Sequence, residues 1–191
     1  MIEGSGKGPG ASRNRGLKLA KGDYIVFADA DDYLPDKEIF CKYINLAEQT
    51  DADIVVSNYA RLWKDKILPA TKHQSFALCS PSSEEFRFQG FFSVGTLSYA
   101  WGKLYREFLR NHQIYFADLS YAEDKLFNMQ CYICDAKYAF LEDIGYIYRK
   151  NDMSVSWQYR PDSVENWFKL VYELKSWIEK EDKDPKEYTS L

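Results

Sequence analysis

An α/β fold with a parallel strand pair is predicted for this 191-residue chain by three observations. The stretch 22–33, GDYIVFADADDY, reads as a short apolar strand that runs straight into three carboxylates. Around it the chain alternates helix, strand, helix, strand, and that alternation implies a βαβ crossover. Hydrophobic residues make up 46% of the chain and aromatics 17%, enough for one packed core and too apolar for disorder.

The elements follow in order. Residues 1–10 are rich in glycine and proline and read as a loop; GSGKGPG imitates a phosphate cradle, but Lys7 is followed by Gly8 and no strand precedes it. Ser12 is placed to cap a helix through Arg13, Asn14, Leu17 and Ala20 that Gly22 stops. Tyr24 to Ala28 form the strand, and Asp29, Asp31 and Asp32 follow at its carboxyl end. Pro35 opens a helix whose Ile39, Phe40, Tyr43, Ile44 and Ala47 share one face. Residues 54–59, IVVSNY, read as a second buried strand, and 61–68 as a hairpin turning at Asp65. A polar loop is expected at 71–83, and Ser83 before Glu84, Glu85 and Phe86 resembles a helix start.

SYAWGKLY at 98–105 is strand-like, 106–112 a short helix, and 122–136 a longer helix with Leu126, Phe127, Met129, Gln130, Ile133 and Cys134 along a buried stripe. Its first turn carries Glu123 and Asp124, where the helix dipole already favours acids. Two strands are expected at 138–141 and 144–148, then a polar loop at 151–156. Asp162 caps a long amphipathic helix to about Lys180, and the charged tail after Glu181 is expected to fray. The division is therefore a core at 1–156 and a C-terminal helix, within 157–191, packing on it.

If the extended conformation persists through the acidic cluster, Asp29 and Asp31 point one way and Asp32 across. Two hard oxygen ligands on one face are half of a divalent-cation site, open to water and a phosphorylated ligand. The competing reading is a solvated Asp-rich turn. A formal charge of −4 argues against a nucleic-acid binder. With no bilayer-length apolar run and no signal-peptide core, the chain is expected to be soluble and intracellular. Cys131 and Cys134 form a CxxC without a second pair, so they read as two small apolar residues on one helix face instead of a zinc site. His73 and His112 are expected at the surface.

Three separated pieces coincide with one family. GPGASRNRGLKLAKGDYIVFADADD at 8–32, WGKLY at 101–105 with YAEDKLF at 121–127, and YIYRKNDMSVS at 146–156 resemble, in order and spacing, the segments of the inverting family 2 glycosyltransferases. The resemblance implies the GT-A nucleotide-sugar fold, a Rossmann-like mixed sheet flanked by helices. It implies that Asp29 and Asp31 bind the donor diphosphate through a divalent metal, Mn²⁺ or Mg²⁺, with Asp31 the more direct ligand. Asp124 would be the general base. Arg149, with Lys150 nearby, would face the pyrophosphate, Arg13 would line the donor side, and Trp101, Lys103 and Glu123 the acceptor side or the cleft. The partners implied are a nucleotide-sugar donor of the UDP-sugar type and a saccharide or lipid-linked saccharide acceptor, in cell-surface polysaccharide synthesis.

Family members begin with further nucleotide-binding strands, including a VDDGSTD-like segment that this sequence lacks, so an N-terminally truncated form is expected. An inactive module that binds only a saccharide or a partner protein is the alternative. A HAD-type phosphotransferase also ends a strand in DxD, but Tyr33 breaks its pattern; Leu34 and Phe40 stand where an EF-hand needs Gly and Glu. The aromatic C-terminal helix is compatible with peripheral association at the inner face of a membrane.

Overall fold

The computed structural model describes residues 8–71, 76–79, 98–150 and 161–188, in which a six-stranded mixed sheet lies between two helical layers. The strands are β1 (Ile25–Val26), β2 (Ile54–Trp63), β3 (Lys66–Pro69), β4 (Phe76–Cys79), β5 (Lys103–Tyr105) and β6 (Tyr138–Arg149). They lie in the order β1-β5-β2-β6-β4, with β3 paired to the outer part of β2. The helices are α1 (Pro9–Leu19), α2 (Ile39–Thr50), α3 (Phe108–Asn111), α4 (Glu123–Ile133) and α5 (Ser163–Lys180). The expected helix start at Ser83, His73 and the loop at 151–156 fall outside the described residues.

The continuous apolar run of β2 is explained by burial on both faces. Ile54 and Val56 enter the larger core with Ile25, Phe27, Tyr105, Phe127 and Phe140. Val55 points the other way, with Leu104 and Ala139, onto Ile39, Tyr43 and Ala47 of α2. Residues one apart on a strand serve opposite layers, so no polar alternation is left to read.

The sequence predicts β1 and β2 as a parallel pair, and the structure corrects this. Ile25 and Ile54 both register on Tyr105, so β5 is inserted antiparallel between them. The parallel pair is β2 with β6, joined by the crossover through β5, α3 and α4. Direction is set by the local crossover, whereas insertion of a later strand is a long-range event that the order of elements does not encode.

Other boundaries shift for local reasons. Pro9 stands in the first turn of α1 with Gly8 as N-cap, so Ser12 is already inside the helix and its hydroxyl donates back to the Gly8 carbonyl at 3.2 Å. The hairpin turns at Lys64 and Asp65, both at positive φ (47° and 61°), the backbone that two-residue hairpin loops require. The two strands expected at 138–148 are one strand, β6, with a bulge opposite Ser57 and Asn58. There Gly145 has no room for a side chain: a Cβ would lie 2.3 Å from Ser57 Oγ and 2.4 Å from the Tyr43 hydroxyl. The polar loop expected at 71–83 contains β4. The tail does not simply fray: Pro185–Tyr188 form a 3₁₀ turn, and buried Tyr188 meets the Tyr132 ring edge-on.

Helix α5 sends Leu170, Leu174 and Ile178 into the larger core beside α4 and exposes Val164, Phe168, Val171 and Tyr172. Among the described residues no helix is long and apolar enough to cross a membrane.

Candidate active site

Arg13 is the hub of the acidic cluster. Its Nη2 donates to Asp29 Oδ1 at 2.7 Å, and its Nη1 donates to Asp124 Oδ1 at 2.6 Å and to Glu123 Oε1 at 3.2 Å. One guanidinium thus joins α1, the end of β1 and the first turn of α4. The fork geometry of arginine suits this, because its donors diverge in one plane. Helix α1 comes this close because Gly10 lies against Phe116 and Glu123, where an added Cβ would approach to 3.1 Å and 3.3 Å. Asn14 fixes the register by exchanging two 2.8 Å hydrogen bonds with the backbone of Phe116.

The extended alternation expected for Asp29, Asp31 and Asp32 does not persist. The chain turns, with Asp32 N donating to Asp29 O at 3.2 Å, and the three carboxylates diverge. Asp29 faces Arg13 and Asp31 faces solvent. Asp32 accepts from the Tyr146 hydroxyl at 2.8 Å and from Arg149 N at 2.7 Å. Burial is the first cause that pushes the Asp32 carboxyl above its ordinary range, opposed by those two hydrogen bonds and assisted by the charges of Asp31 and Asp29.

Tyr146 is the residue the sequence reading missed as an individual contributor, although it lies within the YIYR segment. Its hydroxyl also accepts from Asp29 N at 3.0 Å, so one phenol ties together both ends of the turn. Its ring stacks on Trp101 at 4.5 Å, and Trp101 stacks on Tyr99 at 4.3 Å. The visible signal was the alternation of Tyr146 and Tyr148 on one strand face opposite a WxK segment.

Trp101 and Lys103, expected at the cleft surface, lie beneath it at 3% and 0% exposure. Lys103 donates Nζ to the Tyr99 carbonyl, and burial lowers its pKa to about 7 against the opposing pull of Asp124. Both residues therefore support the floor. Apolar stacking and a desolvated amine are what a position under a sheet's edge dictates, and the WxKL spacing alone cannot separate floor from lining. Arg149 contributes its backbone N–H to Asp32 and has an exposed side chain, whereas Lys150 sits 4.8 Å over the Trp63 ring, at the hairpin end and apart from the Arg13 cluster.

Asp124 has the chemistry of a base. Its Oδ2 accepts from Ala100 N at 3.1 Å, and burial pushes its pKa up to about 6, with Arg13 pulling it down and Glu123 and Asp29 adding to the rise. It lies two residues after Ala122, a non-glycine N-cap held at φ 63°, a conformation that costs about 1 kcal/mol. A carboxylate poised at that value exists largely ionised at neutral pH yet binds a proton readily.

As a cation site, Asp29 and Asp31 offer hard carboxylate oxygens, the donor type that Mg²⁺ or Mn²⁺ prefers. As folded the two diverge, Asp29 toward Arg13 and Asp31 toward solvent, and no three acids converge there among the described residues, so most of a coordination shell would come from a ligand's phosphates and from water. The donor set fits a cation held jointly with a bound ligand.

Comparison with known proteins decides the family. The model described as "Glycosyl transferase family 2" matches residues 2–112. The chain belongs to that family. The putative glycosyltransferase EpsH of Bacillus subtilis (strain 168) is 26% identical over 195 residues, which covers 98% of this chain and 55% of EpsH. The poly(ribitol-phosphate) beta-glucosyltransferase of Bacillus spizizenii is 27% identical over 179 residues, covering 92% of this chain and 26% of the relative. Among solved structures, that of S. aureus TarS 1-349 in complex with UDP-GlcNAc superposes with a TM-score of 0.69 at 24% identity, over 90% of this chain and 47% of TarS. The fold of this family 2 chain is thus the GT-A mixed sheet that its motifs implied. It spans about half the length of EpsH and of TarS 1-349.

Proposed function

We propose that this site transfers a sugar, with inversion, from a nucleotide-diphosphate donor of the UDP-sugar type to a saccharide or lipid-linked saccharide, in the synthesis of a cell-surface polysaccharide. The observation that carries the reading is the Arg13 bridge, which holds the strand-end Asp29 and the helix-start Asp124 against one guanidinium. Inverting transfer needs two unlike ends in one cleft, one for the leaving diphosphate and one for the acceptor. Family membership and the naming of TarS with UDP-GlcNAc support the donor class.

In this mechanism Asp124 takes the proton of the acceptor hydroxyl as its oxygen attacks the anomeric carbon from the face opposite the diphosphate. The bond from that carbon to the diphosphate oxygen breaks, and the electron pair leaves with the diphosphate. Arg13 keeps Asp124 ionised against its burial, and without it the base would be protonated more of the time. The side chain of Arg149, on the exposed rim beside Asp32, is assigned to the charge of the departing group. A divalent cation, Mn²⁺ or Mg²⁺, held by Asp31 and Asp29 would supply Lewis-acid stabilisation of that same charge. Glu123, which shares Arg13, is assigned to the acceptor side. A nucleotide-sugar donor assigns the work to the cytoplasm, and a lipid-linked acceptor to the inner face of the membrane.

Calorimetry with UDP-sugars and Mn²⁺ tests the reading. Metal-dependent binding that is lost in Asp31→Ala, with no change in folding because Asp31 is exposed, is the expected result. Absence of binding at millimolar donor would favour a module that binds only an acceptor or a partner.

A further inference from the structure

A second cluster lies away from the Arg13 site. His112, Cys134 and Glu181 each offer one ligand atom, and the three atoms all lie within 4.8 Å of one another. The residues are far apart in sequence and have one structural feature in common: His112 is the C-cap of α3, Cys134 of α4 and Glu181 of α5. Three helices end on one point. The carboxyl ends of the two longer ones, α4 and α5, direct partial negative charge there, which favours a cation.

The chemistry of the set is specific. A thiolate sulfur, an imidazole nitrogen and a carboxylate oxygen are the mixed donors of a borderline-soft divalent ion, and sulfur argues against Mg²⁺ or Ca²⁺. Cys134 is buried while His112 and Glu181 are half-buried, so the point is neither a surface acid patch nor a sealed core. The ring of His112 lies 4.3 Å from that of Phe108, which limits its swing. A polar cavity of about 390 Å³ opens beside the cluster, lined among others by His112, Cys134, Asp53 and Arg106, and gives room for a water as a fourth ligand. Lys180, whose own side chain is exposed, pairs with Glu181 at 3.5 Å and can swing into solvent when a cation takes its place.

We infer that His112, Cys134 and Glu181 form a binding site for a zinc-type divalent cation that ties the carboxyl ends of α3, α4 and α5 together. The CxxC of Cys131 and Cys134 has no second pair, and the partners of Cys134 arrive from two other helices instead. On binding, Cys134 gives its thiol proton to solvent and its sulfur lone pair to the metal, with no change of oxidation state. The site is independent of the glycosyl-transfer reading, because it shares no residue with the Arg13 cluster.

Co²⁺ and Zn²⁺ titrations of the whole chain test this. Co²⁺ is expected to produce a thiolate-to-metal charge-transfer band at one equivalent, and Zn²⁺ to bleach it and raise the melting temperature. His112→Ala is expected to weaken binding by at least about tenfold, the scale on which loss of one supporting group is felt. Cys134→Ser is expected to remove the band while circular dichroism confirms the fold. Asp31→Ala is expected to leave both signals unchanged. No charge-transfer band in the folded parent, or a band that survives in Cys134→Ser, overturns the proposal. So does Zn²⁺ binding that is indifferent to His112→Ala or that disappears in Asp31→Ala.

Discussion

Replacing Asp124 by asparagine is expected to abolish sugar transfer and at the same time to stabilise the fold at neutral pH. The folded pKa of Asp124 is about 6 against an ordinary value of 3.8, so its ionised form is held at a cost of about 3 kcal/mol at pH 7.5. The sign follows from the direction of the shift. A carboxylate raised by burial destabilises fully above its folded pKa, and the cost is relieved as pH falls from about 6 toward 3.8; at pH 5 about half of it remains.

Asparagine removes that cost but brings another. The two carboxylate oxygens accept from Arg13 and from Ala100 N, and an amide has one oxygen, so one donor is left facing the N–H₂ group. That mismatch costs about 1–2 kcal/mol. The net expectation is a gain of about 1–2 kcal/mol at pH 7.5 that shrinks to near zero at pH 5, read by urea denaturation of parent and Asp124→Asn side by side. In parallel, UDP-sugar binding is retained, and the parent's kcat/KM climbs as pH rises through about 6. A variant less stable than the parent at pH 7.5 would refute the electrostatic account, and retained transfer would refute the base assignment.

The other predictions concern the groups around it. Arg13→Met leaves three carboxylates facing one another and is expected to cost about 2–4 kcal/mol at pH 7.5, with a smaller deficit at pH 5 as Asp124 takes up a proton; thermal melts at both values check this. Tyr146→Phe keeps the stack on Trp101 but removes the hydroxyl shared by Asp29 N and Asp32, so a loss of about 1–2 kcal/mol and weaker donor binding are expected by denaturation and calorimetry. Gly145→Ala forces a methyl against Ser57 and Tyr43 and is expected to cost about 2–3 kcal/mol or to prevent folding, read as loss of soluble protein or of the cooperative transition.

Much of the candidate site was legible because its carriers are local. Three acids after an apolar strand, two acids opening a helix, and an arginine one helix earlier are patterns that short-range physics makes conspicuous. Their mutual contact was not legible. Asp29 and Asp124 meet through Arg13 only because β5 inserts beside β1 and α4 closes over α1, contacts 16 to 111 residues apart in sequence. Tyr146, the burial of Trp101 and Lys103, and the turn that separates Asp31 from Asp29 and Asp32 likewise depend on which surfaces pack together.

The sequence by itself determined the α/β class, the positions of most helices, the hairpin turning at Asp65, and the residues with chemistry to offer. These follow from side-chain periodicity, backbone propensity and residue type, which act over a few residues. Tertiary structure alone decided the strand order, the bulge that makes β6 one strand, the upward shift of the Asp124 carboxyl, and the convergence of His112, Cys134 and Glu181. Each of those depends on desolvation or on contact between distant segments, and both quantities exist only once the chain has closed on itself.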